Sequence, residues 1–189
     1  MLPHDLPRLL QVELPPFEAA IKAGVASVMT AHVIYTPIDK YPGTLSHAIL
    51  DGVLRKRFGF DGLVMSDDMQ MKAIADHYGF DEAIILGANA GVDLFWICHS
   101  SELQNRAIDV LIKAAEGGHL SRDRLEQSAK RLEAVMTKYV KPAARGVEDG
   151  IIGAPEHRAV AEKIEQLAGA AVAETEDPTE AFVREQKTL

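Results

Sequence analysis

The sequence predicts an α/β fold built on a parallel sheet. Three apolar runs, residues 25–35, 62–66 and 92–98, alternate with segments of helical periodicity, and the first run is rich in β-branched residues. Continuous apolar runs are typical of strands that are buried on both faces. Strands separated by helices of this length form right-handed crossovers, which place the strands side by side in the same direction.

The predicted helices carry apolar residues at i, i+3 and i+4 spacing. They cover residues 46–58, 81–90, 100–116, 122–139 and 155–173. Gly59, Gly91 and Gly117 follow the first three, where glycine adopts the backbone that ends a helix at no steric cost. Ser121 is the expected N-cap of the fourth. Pro178 prevents the fifth from continuing.

The chain is predicted to have two parts. Residues 1–140 contain every predicted strand. Residues 141–189 begin with an irregular, glycine-containing linker, continue as one helix and end in a polar tail that we expect to fray.

Composition excludes several classes of partner. The formal net charge of the 189 residues is −8, which disfavours both nucleic acid and anionic membrane surfaces. The single cysteine, Cys98, excludes an internal disulfide. No apolar run approaches the roughly 20 residues that a membrane span needs, and residues 1–7 do not resemble a signal peptide. We therefore expect a cytoplasmic protein.

The leading candidates for chemistry are Asp67 and Asp68, which follow the second apolar run. The carboxyl ends of parallel strands form the usual active-site edge of an α/β sheet. A carboxylate is costly to bury among apolar residues unless it is hydrogen-bonded or used. The alternative is that one of them caps the next helix. The pattern leaves both open, and we predict that Asp68 caps the helix while Asp67 faces the site.

Two histidines also lie at predicted strand ends. His32 lies in the first run, and His99 follows the third. Each is either a satisfied structural histidine or a site residue. A metal site of His32, Asp67 and His99 is conceivable, although no local ligand spacing supports it. Cys98 is expected to be a free buried thiol.

Several segments together resemble glycoside hydrolase family 3, most closely its bacterial β-N-acetylhexosaminidases. The motifs that carry the resemblance are Met-Thr-Ala-His at residues 29–32 and Ser-Asp-Asp-Met at residues 66–69. The other similar segments are residues 16–24, 54–55, 59–65, 88–94 and 128–132. The resemblance spans most of residues 6–139, in the family's order and at its spacing.

The resemblance implies a (β/α)₈ TIM barrel of which this chain holds about the last three strands with their helices, followed by C-terminal helices. It implies that Asp67 is the catalytic nucleophile and that Met29 and His32 line the substrate-binding pocket. The expected substrates are carbohydrates ending in N-acetylglucosamine, such as peptidoglycan fragments released in cell-wall recycling. Hydrolysis retains the anomeric configuration, and neither metal nor organic cofactor is implied.

The chain departs from the family pattern in one respect. The family's acid/base lies on a His- and Gly-rich loop that should come just before residues 4–7, and the 189 residues do not include it. We therefore expect the chain alone to be inactive or nearly so. A three-stranded piece cannot close a barrel, so we expect either a partner chain carrying the N-terminal half-barrel or self-association. The alternative function is a non-catalytic half-barrel that acts as an assembly module.

Overall fold

A computed structural model describes residues 1–141 and 150–168. Contacts separate the chain into two compact units, Met1–Lys141 and Pro142–Leu189, and each is described by itself. The predicted linker and frayed tail lie mostly outside the described residues. Among the helices that are described, none combines the length and the apolar character that crossing a membrane requires.

The first unit is built on a three-stranded parallel sheet. Its strands are β1 (Ser27–Met29), β2 (Leu63–Asp68) and β3 (Leu94–Trp96), in the spatial order β1-β2-β3. This confirms the predicted α/β class with parallel strands. Gly62 is required where β1 and β2 approach, because a Cβ atom at this position would overlap the Ala26 carbonyl oxygen.

The predicted strand boundaries were wrong in instructive ways. Only three residues of the run 25–35 form β1, because the last bond of this chain segment to β2 joins the Thr30 amide to the Met65 carbonyl. The segment then leaves the sheet, and a parallel bridge later joins its Tyr35 to Leu2. The third run is likewise shortened to three residues.

The predicted helical segments occur in the predicted order. The α-helices are α1 (Leu6–Arg8), α2 (Pro15–Lys22), α3 (Lys72–Ala75), α4 (Phe80–Ala90), α5 (Ser101–Glu116), α6 (Arg122–Tyr139) and, in the second unit, α7 (Pro155–Ala168). Shorter or wider turns are a 3₁₀ turn at Gly43–Leu45 and π-helical segments at Leu9–Glu13 and Ala48–Arg57.

Two helix predictions need comment. The segment expected as an α-helix over residues 46–58 is a π-helix, in which the Phe58 amide donates to the Val53 carbonyl five residues back. Ser121 caps α6 as predicted, because its hydroxyl accepts from the Arg124 amide at 3.2 Å. The predicted end of α7 at residue 173 lies outside the described residues.

The two faces of the sheet differ in burial. Val64 of β2 is fully buried against the Ala48–Arg57 π-helix, and Phe95 of β3 packs into the clusters formed with α4. On the opposite face, the register aligns Met29 with Met65 in one row across the sheet. Met29 is 55% exposed and Trp96 of β3 is 46% exposed. The helices therefore cover one face and leave apolar side chains of the other in contact with solvent.

Asp93, directly before β3, is the centre of a buried polar network. Its side chain is 0% exposed and forms a 2.6 Å ion pair with Arg55 and a 3.0 Å ion pair with Arg124. The carboxylate also accepts from the Ser128 hydroxyl at 2.6 Å and from the Val64 amide at 3.0 Å. One carboxylate thus joins β2, β3, the π-helix and α6.

The pKa of the Asp93 carboxyl reflects these contacts. Burial raises this pKa. The hydrogen bonds from Ser128 and Val64, and then the charges of Arg124 and Arg55, lower it by more than burial raises it, so that the pKa lies below its ordinary value. Asp93 is therefore ionised in the folded protein throughout the neutral range.

We predict that Asp93→Asn lowers the free energy of unfolding by about 3–5 kcal/mol, because it leaves buried guanidinium groups without their counter-charge. Urea unfolding followed by the fluorescence of Trp96 measures the change. Asp81→Asn is the matched control, since the Asp81–Arg106 pair is about half exposed and worth less than about 1 kcal/mol. Equal losses in the two variants would contradict a special role for Asp93.

The stabilisation by the Asp93 carboxylate should depend on pH. Because the pKa of Asp93 is lower in the folded than in the unfolded chain, the unfolded chain binds the proton more readily. The stabilisation is therefore complete above the unfolded value of about 3.9 and is lost as pH falls through the folded value. The difference in unfolding free energy between the wild type and Asp93→Asn should be constant from pH 6 to 8 and shrink below about pH 4. A difference that grows in acid would refute this sign.

Candidate active site

The candidate site lies at the carboxyl edge of the sheet. β2 ends in Asp67 and Asp68, and the segments that follow β1 and β3 bring His32 and His99 to the side chain or backbone of Asp68. Parallel strands all present their carboxyl ends at one edge, so residues far apart in sequence meet there. The sequence predicted this edge, and the structure brings its named residues together.

Asp67 is partly buried and held at one oxygen. Its Oδ1 accepts a hydrogen bond from the Asp68 amide at 2.8 Å. A carboxylate presented at this edge can act as a nucleophile toward an electrophilic carbon.

Asp68 connects the ends of β2 and β3. Its Oδ1 accepts from the Gln70 amide at 3.1 Å and the Cys98 amide at 3.3 Å, and its Oδ2 lies 3.2 Å from the His99 Nε2 atom. The prediction that Asp68 caps the next helix is wrong. α3 begins at Lys72, and its N-cap is Met71, without a side-chain cap. The carboxylate instead satisfies amides of the loops that follow β2 and β3.

Gln70 is a site residue that the sequence analysis missed. Its side chain is buried, and its Oε1 accepts from the amides of His99 at 2.8 Å and Ser100 at 3.3 Å. It therefore fixes the turn from β3 into α5. The one sequence signal of a buried glutamine is its position between Met69 and Met71, and this signal does not identify its hydrogen-bond partners.

His32 is bound to the protein through both ring nitrogens. Nδ1 lies 2.9 Å from the Thr44 hydroxyl, and Nε2 lies 3.0 Å from the Asp68 carbonyl oxygen. Thr44 is 0% exposed and also lies 2.7 Å from the Thr30 hydroxyl. The predicted role of His32 in the sugar pocket stays a prediction, as does that of Met29, the exposed residue that ends β1.

The structure does not support the alternative of a metal site in the part of the chain that it describes. Within residues 1–141 and 150–168, no group of three His, Cys, Asp or Glu side chains is arranged to hold an ion, and this includes the proposed set of His32, Asp67 and His99. Cys98 is exposed, which corrects the prediction of a buried thiol. Partial desolvation and the charges of Asp68 and Asp67 raise the pKa of this thiol, so it stays protonated and poorly nucleophilic at neutral pH.

Fold and site together define a class: a parallel α/β domain that carries an acidic pair at the carboxyl edge of its sheet. Residues 1–135 match the model of the glycosyl hydrolase family 3 N terminal domain. The chain belongs to glycosyl hydrolase family 3. This confirms the family resemblance and the sequence signals on which it rested.

Several similar proteins of this family have names that refer to hexosaminidase or N-acetylglucosaminidase activity. The chain is 36% identical over 100 residues to a beta-hexosaminidase of Thiobacillus denitrificans, covering 53% of this chain and 28% of that protein. It superimposes with a TM-score of 0.75 on a family 3 beta-N-acetylglucosaminidase from Paenibacillus sp., at 37% identity, over 85% of this chain and 32% of that one. The beta-N-acetylglucosaminidase from Thermotoga maritima gives a TM-score of 0.69 and 33% identity, over 73% of this chain and 31% of that one. The chain thus spans about a third of the length of these relatives.

We predict that Gln70→Leu loosens the turn after β3 while preserving side-chain volume. The amides of His99 and Ser100 lose their acceptor, at a cost of about 1–3 kcal/mol. Hydrogen exchange followed by mass spectrometry should show faster exchange at residues 99–101. Gln127→Leu, at an exposed position of α6, is the control. Unchanged exchange in Gln70→Leu would show that this turn is held by other contacts.

Proposed function

We propose that the chain is part of a glycoside hydrolase that removes terminal N-acetylglucosamine from carbohydrates. The observation that supports this most directly is the position of Asp67, at the carboxyl edge of a parallel sheet with one carboxylate oxygen held by a backbone amide. The names of the relatives supply the substrate class. Peptidoglycan fragments are substrates of this chemical type.

In the proposed reaction Asp67 attacks the anomeric carbon. The bond from that carbon to the aglycone oxygen breaks, the oxygen leaves with a proton from a general acid, and a glycosyl-aspartate ester forms. Water then attacks the same carbon, a general base accepts a proton from the water, and the Asp67 carboxylate is released. Two inversions at one carbon give net retention.

We further propose that β1, β2 and β3 are the last three strands of a (β/α)₈ barrel. Three features support this: the matched share of the longer relatives, the parallel order of the strands and the uncovered sheet face with Met29 and Trp96. An apolar cavity of about 160 Å³ beside β1, bordered by Leu14 and Phe17 of the N-terminal helices, is a further surface that the preceding barrel segment would fill. A barrel buries both faces of its strands, because side chains fill its interior.

The general acid and most substrate contacts would then come from the rest of the barrel. Loss of general acid–base help alone lowers a rate by about 10²–10⁴-fold. The isolated chain is thus proposed to be inactive or nearly so, and to need the N-terminal half-barrel, in the same polypeptide or as a separate partner.

A second candidate function is a non-catalytic assembly module that self-associates. The exposed fractions of Met29 and Trp96, 55% and 46%, favour it, because uncovered apolar faces of a sheet mark interaction surfaces or aggregation sites. Self-association without any gain of activity on completion of the barrel distinguishes this function from hydrolysis.

We predict that Asp67→Ala, in a barrel completed with an N-terminal half, lowers hydrolysis of 4-nitrophenyl N-acetyl-β-glucosaminide by at least about 10⁴-fold, the scale of nucleophile removal in covalent catalysis. Asp61→Ala is the control, because Asp61 precedes the same strand at its opposite end and is 92% exposed. In the wild type, a 5-fluoro glycosyl fluoride of N-acetylglucosamine should label Asp67, as located by peptide mass spectrometry. A label on another carboxylate would end the assignment.

We also predict that covering the open face changes the emission of Trp96, the single tryptophan. Adding a separately produced N-terminal half-barrel that lacks tryptophan should shift the emission to shorter wavelength, because the half-exposed indole leaves water. The shift should accompany the appearance of hydrolysis. A shift that instead depends on the concentration of the chain alone supports the assembly module.

A further inference from the structure

Four polar residues form one continuous hydrogen-bonded path behind the candidate site. It runs from Thr30, just after β1, to Thr44 at 2.7 Å, from Thr44 to His32 Nδ1 at 2.9 Å, and from His32 Nε2 to the Asp68 carbonyl oxygen at 3.0 Å. Thr44 is 0% exposed, so at its position water does not compete for these bonds. The path joins the segment after β1 to the last residue of β2.

The Asp68 carbonyl at one end of the path determines which atom donates in each of the other hydrogen bonds. A carbonyl oxygen only accepts, so His32 must carry a proton on Nε2. In the neutral ring Nδ1 is then an acceptor, and the Thr44 hydroxyl donates to it. The Thr44 oxygen in turn accepts from the Thr30 hydroxyl. The path therefore selects one tautomer of His32 and leaves neither ring nitrogen of the neutral ring free for a ligand.

The strand ladder itself does not hold Asp68 from the β1 side. Pairing between β1 and β2 ends with Met29 opposite Met65, and the β2–β3 register is irregular between Met65 and Asp68. His32 lies beyond the end of this pairing, and its Nε2 donates to the Asp68 carbonyl oxygen. On the other side, the Asp68 carboxylate is held by the Cys98 amide and by His99.

The position of Asp68 matters because its amide is the donor to Asp67. That amide lies 2.8 Å from the Asp67 Oδ1 atom. Fixing the carbonyl and carboxylate of Asp68 fixes its backbone, and with it the direction in which this N–H points. A small rotation of Asp68 would release or redirect the Asp67 carboxylate.

We propose that His32 is a positioning residue rather than a sugar ligand: held as the Nε2–H tautomer by Thr44 and Thr30, it orients Asp68 so that the Asp68 amide aims the Asp67 carboxylate. The geometric part stands on the contacts alone. The kinetic part rests on the proposed function of Asp67.

The first test needs no activity. Nitrogen-15 NMR of histidine-labelled protein, with His32 assigned by its loss in His32→Gln, should show a single Nε2–H tautomer whose Nδ1 accepts a hydrogen bond. Thr44→Val should abolish the signature of that accepted bond, whereas Thr36→Val, at an exposed position, should not. An Nδ1–H tautomer, or a signal unaffected by Thr44→Val, would overturn the proposal.

The second test is kinetic and uses the completed barrel. In His32→Leu the donor is lost, and kcat for 4-nitrophenyl N-acetyl-β-glucosaminide should fall by about 10²-fold, the scale of a small misplacement of a catalytic group. KM should change little. His32→Gln, whose amide can still donate to the Asp68 carbonyl, should recover most of kcat. A raised KM with unchanged kcat would instead make His32 a sugar ligand.

Hydrogen exchange distinguishes a failure of the positioning role of His32 from a failure of the proposed function. The Asp68 amide should exchange faster in His32→Leu than in the wild type and His32→Gln, with circular dichroism confirming that all three are folded. If His32→Leu does not fold, Thr44→Val gives the same exchange comparison. An inactive wild type would refute the proposed function while leaving the NMR and exchange results to decide the geometry. Unchanged exchange at Asp68 in a folded His32→Leu would refute the positioning role itself.

Discussion

The first unit depends most on the buried carboxylate of Asp93. Without its charge, guanidinium groups of Arg55 and Arg124, only 12% and 14% exposed, would lie in the interior with no counter-ion. Such an arrangement is stable only when every partner is present, because desolvated charges are repaid only by close pairing and hydrogen bonds. Its partners come from β2, from α6 and from the π-helix before β2. The network therefore specifies how these elements meet.

The two edges of the sheet have different tasks. The amino edge, around Asp93, is closed by ion pairs among buried groups and carries stability. The carboxyl edge, around Asp67 and Asp68, is partly exposed and holds its polar groups through loops. This division is characteristic of parallel α/β folds, in which conserved geometry at the carboxyl ends serves chemistry and the opposite ends serve packing. Asp93 and Asp68 are both held by several donors, but only Asp68 has the candidate nucleophile, Asp67, as its neighbour in the chain.

Membership of glycosyl hydrolase family 3 suggests why one face of the sheet is exposed: the relatives have a longer fold. Met29 and Trp96 are exposed apolar residues on a face that matches part of a longer fold in the relatives. Apolar side chains in such a row gain burial only when further chain covers them, and about two thirds of each solved relative lies outside the matched region. The proposed hydrolysis and the proposed covering of this face therefore depend on the same further contacts, because both involve the same side of the sheet.

Short-range information in the sequence was sufficient for several features. The apolar runs located all three strands, Ser121 marked the start of α6, and the acidic pair after the second run identified the candidate edge. Each of these depends on neighbouring residues or on a fixed periodicity, so the pattern carries the answer. The family motifs at residues 29–32 and 66–69 extended the same local information to a class of enzyme.

Other features depended on partners that are distant in sequence. The run 25–35 has strand composition throughout, but only three of its residues pair with β2, because the two segments run side by side over one short stretch. Asp68 has the sequence context of a helix cap, yet its acceptors are filled by residues after β3, thirty positions away. His32 and Thr44 are twelve residues apart, and nothing local joins them. Periodicity and motifs thus determined the class of fold and the candidate nucleophile, whereas only tertiary structure decided which polar groups hold that carboxylate, since hydrogen-bond partners across strands are set by packing.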